Sequence, residues 1–273
     1  MKTLLTLAIL LTLGACSSSR IDRKIDDVTW DSLADESYLR WGETRLEKYA
    51  DPDHAVVQCY RGKEAETLAQ YKRDFLTKGS HPYYWLHIGN CYFIQEAWTR
   101  AEFFYRMAVD EAKLPTVKSI ALNNLGLVAL KYEQWEAAKE QLRQSMALAP
   151  RFKVPRYNLS QLYLQFGLYD RALEVLSDGA FRGHKDIDVY FSFANAYLFK
   201  GDLEAAGEYF GRIPREHFTR EDIAATYALY QIRTGDLPGA RATMKARDRS
   251  HVRELTAISQ KIEKILLQRM KEE

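Results

Sequence analysis

From Trp85 onward the apolar residues recur at three- and four-residue intervals, in short stretches broken by turn signals, which is the period of helices that bury one stripe. Within each successive pair of stretches, a small residue is followed 12 positions later by Ala: Gly89 and Ala101, Gly126 and Ala138, Ser160 and Ala172, Ala194 and Ala206, Ala228 and Ala240. The five Ala positions are themselves 37, 34, 34 and 34 residues apart. Between the paired stretches stand Glu96-Ala97-Trp98, Glu133-Gln134-Trp135, Gly167-Leu168-Tyr169, Gly201-Asp202-Leu203 and Gly235-Asp236-Leu237. Gly there supplies the left-handed backbone that ends a helix, and the aromatic or Leu that follows re-enters the core. The pattern predicts repeated helix pairs whose small residues let antiparallel helices approach closely. A weaker copy precedes them, with Val57 and Ala69 in the two register positions and Tyr60 and Tyr71 as core aromatics.

The ends carry different patterns. Trp30, Leu33, Tyr38, Trp41, Leu46 and Tyr49 recur at helical spacing and predict a capping helix over 30–49; Val252, Leu255, Ile258, Ile262, Ile265 and Leu266 predict another over 250–273. Such caps cover the core that a stack of repeats leaves open at its ends. At the start, Lys2, the apolar run Leu4 to Leu13 and the small pair Gly14-Ala15 form a secretory signal over 1–15, too short to span a bilayer. Leu13-Gly14-Ala15-Cys16 resembles the lipobox of bacterial lipoproteins, which implies that Cys16 is acylated and begins the mature chain, with 16–29 as the tether. The alternative is a plain signal cleaved elsewhere. Ser17, where Asp would favour inner-membrane retention, implies the periplasmic face of the outer membrane.

The phrase Trp85-Leu86-His87-Ile88-Gly89-Asn90-Cys91-Tyr92, followed by Ala101, Tyr105 and Pro115, resembles the tetratricopeptide pattern W-x₂-L-G-x₂-Y…A-x₃-F…P, with Ile88 for Leu and Tyr105 for Phe. A second copy runs Leu122, Leu125-Gly126, Ala129, Ala138, Leu142 and Pro150. The resemblance extends over residues 50–249. It implies an all-α, right-handed solenoid of antiparallel helix pairs, about five to six repeats with capping helices, whose first helices line a concave groove. It also implies a protein-interaction role rather than catalysis.

Composition narrows the function classes. With 39 Lys+Arg against 37 Asp+Glu the formal charge is +2, and the charges are interspersed, so no nucleic-acid partner is indicated. The strings H-E-x-x-H, G-x-S-x-G, G-x-x-x-x-G-K-[ST] and G-x-G-x-x-G are all absent, and neither an enzyme nor a cofactor is expected. Cys59 and Cys91 read as one register of successive repeats, either core fillers or a disulfide in an oxidising compartment. His87, four residues before Cys91, has a possible ligand spacing, but three or four ligands are needed for a metal site.

The expected groove is lined by Tyr83, Leu86, Asn90, Asn124, Tyr157, Asn158, Gln161, Phe191 and Asn195. Amides offer a donor and an acceptor to a peptide backbone, and the aromatic neighbours offer pockets. Equally, Asn beside the small residue is common in the family and ties repeats together. Some tetratricopeptide domains clamp a carboxylate with Lys and Arg in their grooves; the matching places here carry Leu86, Asn123, Tyr157 and Phe191, which puts a charge clamp in doubt. The reading is a lipid-anchored envelope scaffold that binds a protein or peptide, in a secretion, pilus or cell-wall machine, similar in layout to the pilus-biogenesis lipoproteins that chaperone secretin assembly. The alternative is a ligand-sensing or enzyme-accessory subunit for cell-wall synthesis.

Overall fold

The computed structural model describes residues 38–40, 55–78, 83–177, 181, 185–249 and 253–272. The expected signal, Cys16 and its tether lie outside the described residues. Helix is the only regular structure among those described, and they fall into two compact units, residues 1–155 and 156–273.

In the first unit, α1 (Ala55–Tyr60) pairs with α2 (Glu64–Lys78), α3 (Tyr84–Ile94) with α4 (Trp98–Glu111), and α5 (Pro115–Lys131) with α6 (Trp135–Leu148); α1 also packs on α3, and α4 on α5. Helix α7 (Val154–Gln165) begins at the division between the units. The second unit continues with α8 (Tyr169–Ser177), α9 (Ile187–Lys200), α10 (Leu203–Gly211), a 3₁₀ turn (Arg215–Thr219), α11 (Glu221–Thr234), α12 (Leu237–Ala246) and α13 (Arg253–Glu272). Helix α10 packs between α9 and α11, and α13 lies on α11 and α12. This is the helical-repeat solenoid expected from the spacing.

Close approach explains the small residues. Ala101, Ala138, Ala172, Ala206 and Ala240 are all fully buried. A Cβ on Gly126 would stand 2.9 Å from Leu142 Cγ, and one on Gly89 would run into the ring of Tyr105. The turns share one backbone state: Glu96 (φ 60°), Glu133 (φ 57°), Gly167 (φ 68°), Gly201 (φ 98°) and Gly235 (φ 85°) are left-handed at the same register position. Glu occupies it twice, so the packed helix pair imposes the conformation even on residues that resist it.

Three expectations need correction. In the first pair the turn falls at Gly62, whose N–H bonds Cys59 O while Lys63 N–H bonds Gln58 O, the pattern of Gly167 to Leu164 and Leu168 to Tyr163. Thr67, not Ala69, therefore holds the second register position, and Ala69 is exposed; the glycine turn outweighs the Ala spacing. The side chain of Tyr60 lies outside the described residues. In α13 the buried stripe is Ser259, Ile262 and Leu266, while Ile258 and Ile265 are exposed. The predicted stripe was wider than the face that α11 and α12 cover. Finally, of the helix expected over 30–49, the described residues 38–40 are not helical. Tyr38 and Leu39 are instead buried against the first unit, which supplies their hydrogen bonds in place of a helix ladder.

Candidate peptide-binding groove

Ser119, Asn123 and Asn124 lie at i, i+4 and i+5 of α5 and so share one face. An amphipathic helix lining an open groove shows one polar side to water, yet every residue of α5 from Ser119 to Leu130 is buried. The face is covered by the chain itself. Leu39 donates its backbone N–H to Asn124 Oδ1 at 2.9 Å, and its carbonyl accepts from Asn123 Nδ2 at 2.8 Å. Both polar backbone groups of one non-helical residue are thus held by two neighbouring amides.

Tyr38 adds a side-chain contact. Its hydroxyl lies 2.7 Å from Ser119 Oγ, and its ring centroid is 5.1 Å from that of Phe152. Ser119 Oγ donates to the Ser145 carbonyl at 2.8 Å, and Ser145 Oγ donates back to the Ser119 carbonyl at 2.7 Å. With the Ser119 proton spent on a carbonyl, its lone pair accepts the Tyr38 proton.

Behind this face runs an amide ladder. Asn124 Nδ2 donates to Asn90 Oδ1 at 2.8 Å, and the same oxygen accepts from the Tyr105 hydroxyl at 2.8 Å. The ladder orients Asn124: with its NH₂ turned to Asn90, its oxygen faces Leu39 and Asn123 Nδ2, the latter at 2.9 Å. The Asn124 side chain thus ties two repeats together and also holds the chain's own Leu39. A second rung in the other unit joins Gln161 Nε2 to Ser192 Oγ at 2.7 Å.

Residues 129–190 and 187–213 match models described as tetratricopeptide repeat. The matched region of the chain consists of tetratricopeptide repeats. No curated protein matches it in sequence. Among solved structures, that of Pseudomonas aeruginosa pilF aligns at 18% identity and TM-score 0.55, covering 64% of this chain and 78% of that one. The C-terminal part of a repeat protein from Cytophaga hutchinsonii aligns at 14% identity and TM-score 0.54, covering 72% and 77%. MamA from Desulfovibrio magneticus aligns at 14% and 0.51, covering 66% and 96%. At these identities the likeness is one of fold.

The other expected groove residues are dispersed. Tyr83, just before α3, and Leu86 and Asn90 on it are buried, with Tyr83 stacked on His87. Tyr157 and Asn158 are buried in the second unit, Gln161 is engaged in its rung, and Phe191 packs half-buried on the cluster of Ala194, Leu198 and Phe210. Asn195 keeps a buried Oδ1 that has no hydrogen-bond partner. Among the described residues no cluster suits a metal. The His87 and Cys91 pairing is unavailable for one, because Cys91 is bonded to Cys59 with Cα atoms 5.7 Å apart, and His87 Nδ1 meets the Tyr71 hydroxyl at 3.0 Å. Tyr38, Leu39, Ser119 and Phe152 were not legible as site residues. The adjacent pair Asn123-Asn124 was the available signal, since two successive amides on one face suit a backbone clamp.

Proposed function

We propose that the protein is a non-enzymatic scaffold that holds an extended segment of another polypeptide against α5. The double hydrogen bond from Asn123 and Asn124 to the backbone of Leu39 carries this reading: it recognises main chain, as peptide-binding surfaces do, and buries it beside an aromatic contact. Extended tetratricopeptide solenoids are suited to such partners. We further place the protein at the periplasmic face of the outer membrane, anchored by a lipid on Cys16, in a secretion, pilus or cell-wall machine; the lipobox-like Leu13-Gly14-Ala15-Cys16 supports the anchor. Among the described residues no helix is long and apolar enough to cross a membrane.

Panning a displayed peptide library against the full chain and against its Asn123→Ala variant tests the groove. Extended binders recovered by the native chain alone support it, and equal recovery by both proteins rules it out. Metabolic labelling with a fatty-acid analogue tests the anchor, which falls if Cys16→Ala still labels and sediments with membranes. A ligand-sensing role is favoured by one feature, a cavity of about 570 Å³ in the second unit lined by Phe210, Arg215, Phe218, Tyr227 and Tyr230. Its aromatic walls with one cation suit a small apolar ligand bearing an acidic group.

A further inference from the structure

We infer that Tyr38 and Leu39 are a resident ligand of the first unit's groove, and that the partner segment is an extended stretch carrying tyrosine followed by leucine, which displaces them to bind. This rests on the scaffold reading above and names both the ligand class and its regulation.

The contacts divide as those of a bound peptide do. Asn123 and Asn124 take the backbone of Leu39 and supply affinity for any residue presented in this way, while the buried Leu39 side chain calls for an apolar residue there. Ser119 and Phe152 take the hydroxyl and ring of Tyr38 and supply selectivity. Phenylalanine in that place would leave the Ser119 lone pair without its donor in a buried site, and a carboxylate would lose its hydration there.

Helix side chains orient the receptor side. Asn124 is oriented by Asn90, which is itself held by Tyr105, and Ser119 by Ser145, so the acceptors for Leu39 and Tyr38 are aimed by bonds between helices. The three described residues of the segment lie outside any helix. A tethered ligand competes at an effective concentration of order millimolar, so an external segment sees only the fraction of chains whose groove is open. The native chain is consequently a gated binder.

The test uses the full chain and a fluorescent peptide with the sequence of residues 34–44. In the Tyr38→Ala/Leu39→Pro chain the hydroxyl and ring contacts of Tyr38 and the N–H bond to Asn124 are removed, because Ala has neither hydroxyl nor ring and Pro has no N–H, which weakens the resident segment's hold. The peptide is expected to bind this chain at least about tenfold more tightly than the native one, and to lose about tenfold when its leucine is N-methylated or when Asn123→Ala is added. In the native chain, excess peptide should accelerate hydrogen exchange of the Leu39 amide, a readout that needs no variant. Equal affinity for native and vacated chains, or a Leu39 amide whose exchange is unmoved by saturating peptide, would overturn the inference. Absence of binding to a vacated chain with native melting would overturn it too; library binders dependent on Asn123 would then leave the scaffold reading standing.

Discussion

Asn124 donates to Asn90 across 2.8 Å between helices of successive repeats, and the two residues stand 34 positions apart. Both are fully buried. Two amides excluded from water are costly unless paired, and here Asn124 donates to Asn90 while Tyr105, Asn123 and Leu39 bond to their oxygens. The pair therefore joins stability to recognition, since the bond that links the repeats also aims the oxygen that meets Leu39.

Replacing Asn124 by Ala should lower the stability of the first unit by about 1–3 kcal/mol, because it removes the buried hydrogen bonds that Asn124 makes with Asn123 Nδ2, the Leu39 N–H and Asn90 Oδ1. All five Trp precede residue 156, so tryptophan fluorescence reports this unit during chemical denaturation. Gln161→Ala breaks a half-buried rung in the other unit and should leave that transition unchanged. Equal loss from both substitutions would contradict the assignment.

Gly89→Ala should destabilise by about 1–3 kcal/mol through overpacking against Tyr105, and Gly126→Ala by a similar route against Leu142. In a Leu142→Ala background the added cost of Gly126→Ala should vanish, because Ala lacks the crowded Cγ and Cδ2. A double variant less stable than both singles would show that the clash lies elsewhere.

Reducing the Cys59 to Cys91 bond, which spans 32 residues, should cost the first unit about 3–4 kcal/mol on the chain-entropy account. Thermal melts with and without reductant measure it, and Cys59→Ser/Cys91→Ser should melt at the lower temperature in both conditions. A melt insensitive to reductant would mean that the bond is not formed in solution.

On α13, Leu266→Ala should cost about 2–5 kcal/mol, while Leu267→Ala should be close to neutral, because the first side chain is 4% exposed and the second 60%. Circular-dichroism melting distinguishes them. Comparable losses would place the wrong face of α13 against α11 and α12.

Sequence alone determined the repeat. The 12-residue step from small residue to Ala and the recurring 34-residue period survive in one dimension because each repeat must place the same close contact at the same register. It did not determine the turn of the first pair, where Gly62 overrides a plausible Ala spacing, nor which apolar residues of α13 are buried, since that depends on the width of the face awaiting them. Cys59 and Cys91 showed their proximity as an option, and packing of α1 on α3 decided it. The occupied groove belongs wholly to tertiary structure. Tyr38 and Leu39 lie 81 and 85 residues from Ser119 and Asn124, and helical periodicity predicted a helix through them. A backbone segment chooses between its own hydrogen-bond ladder and foreign partners by which satisfies it at lower cost. That comparison exists only once the amides of α5 have been brought to meet it.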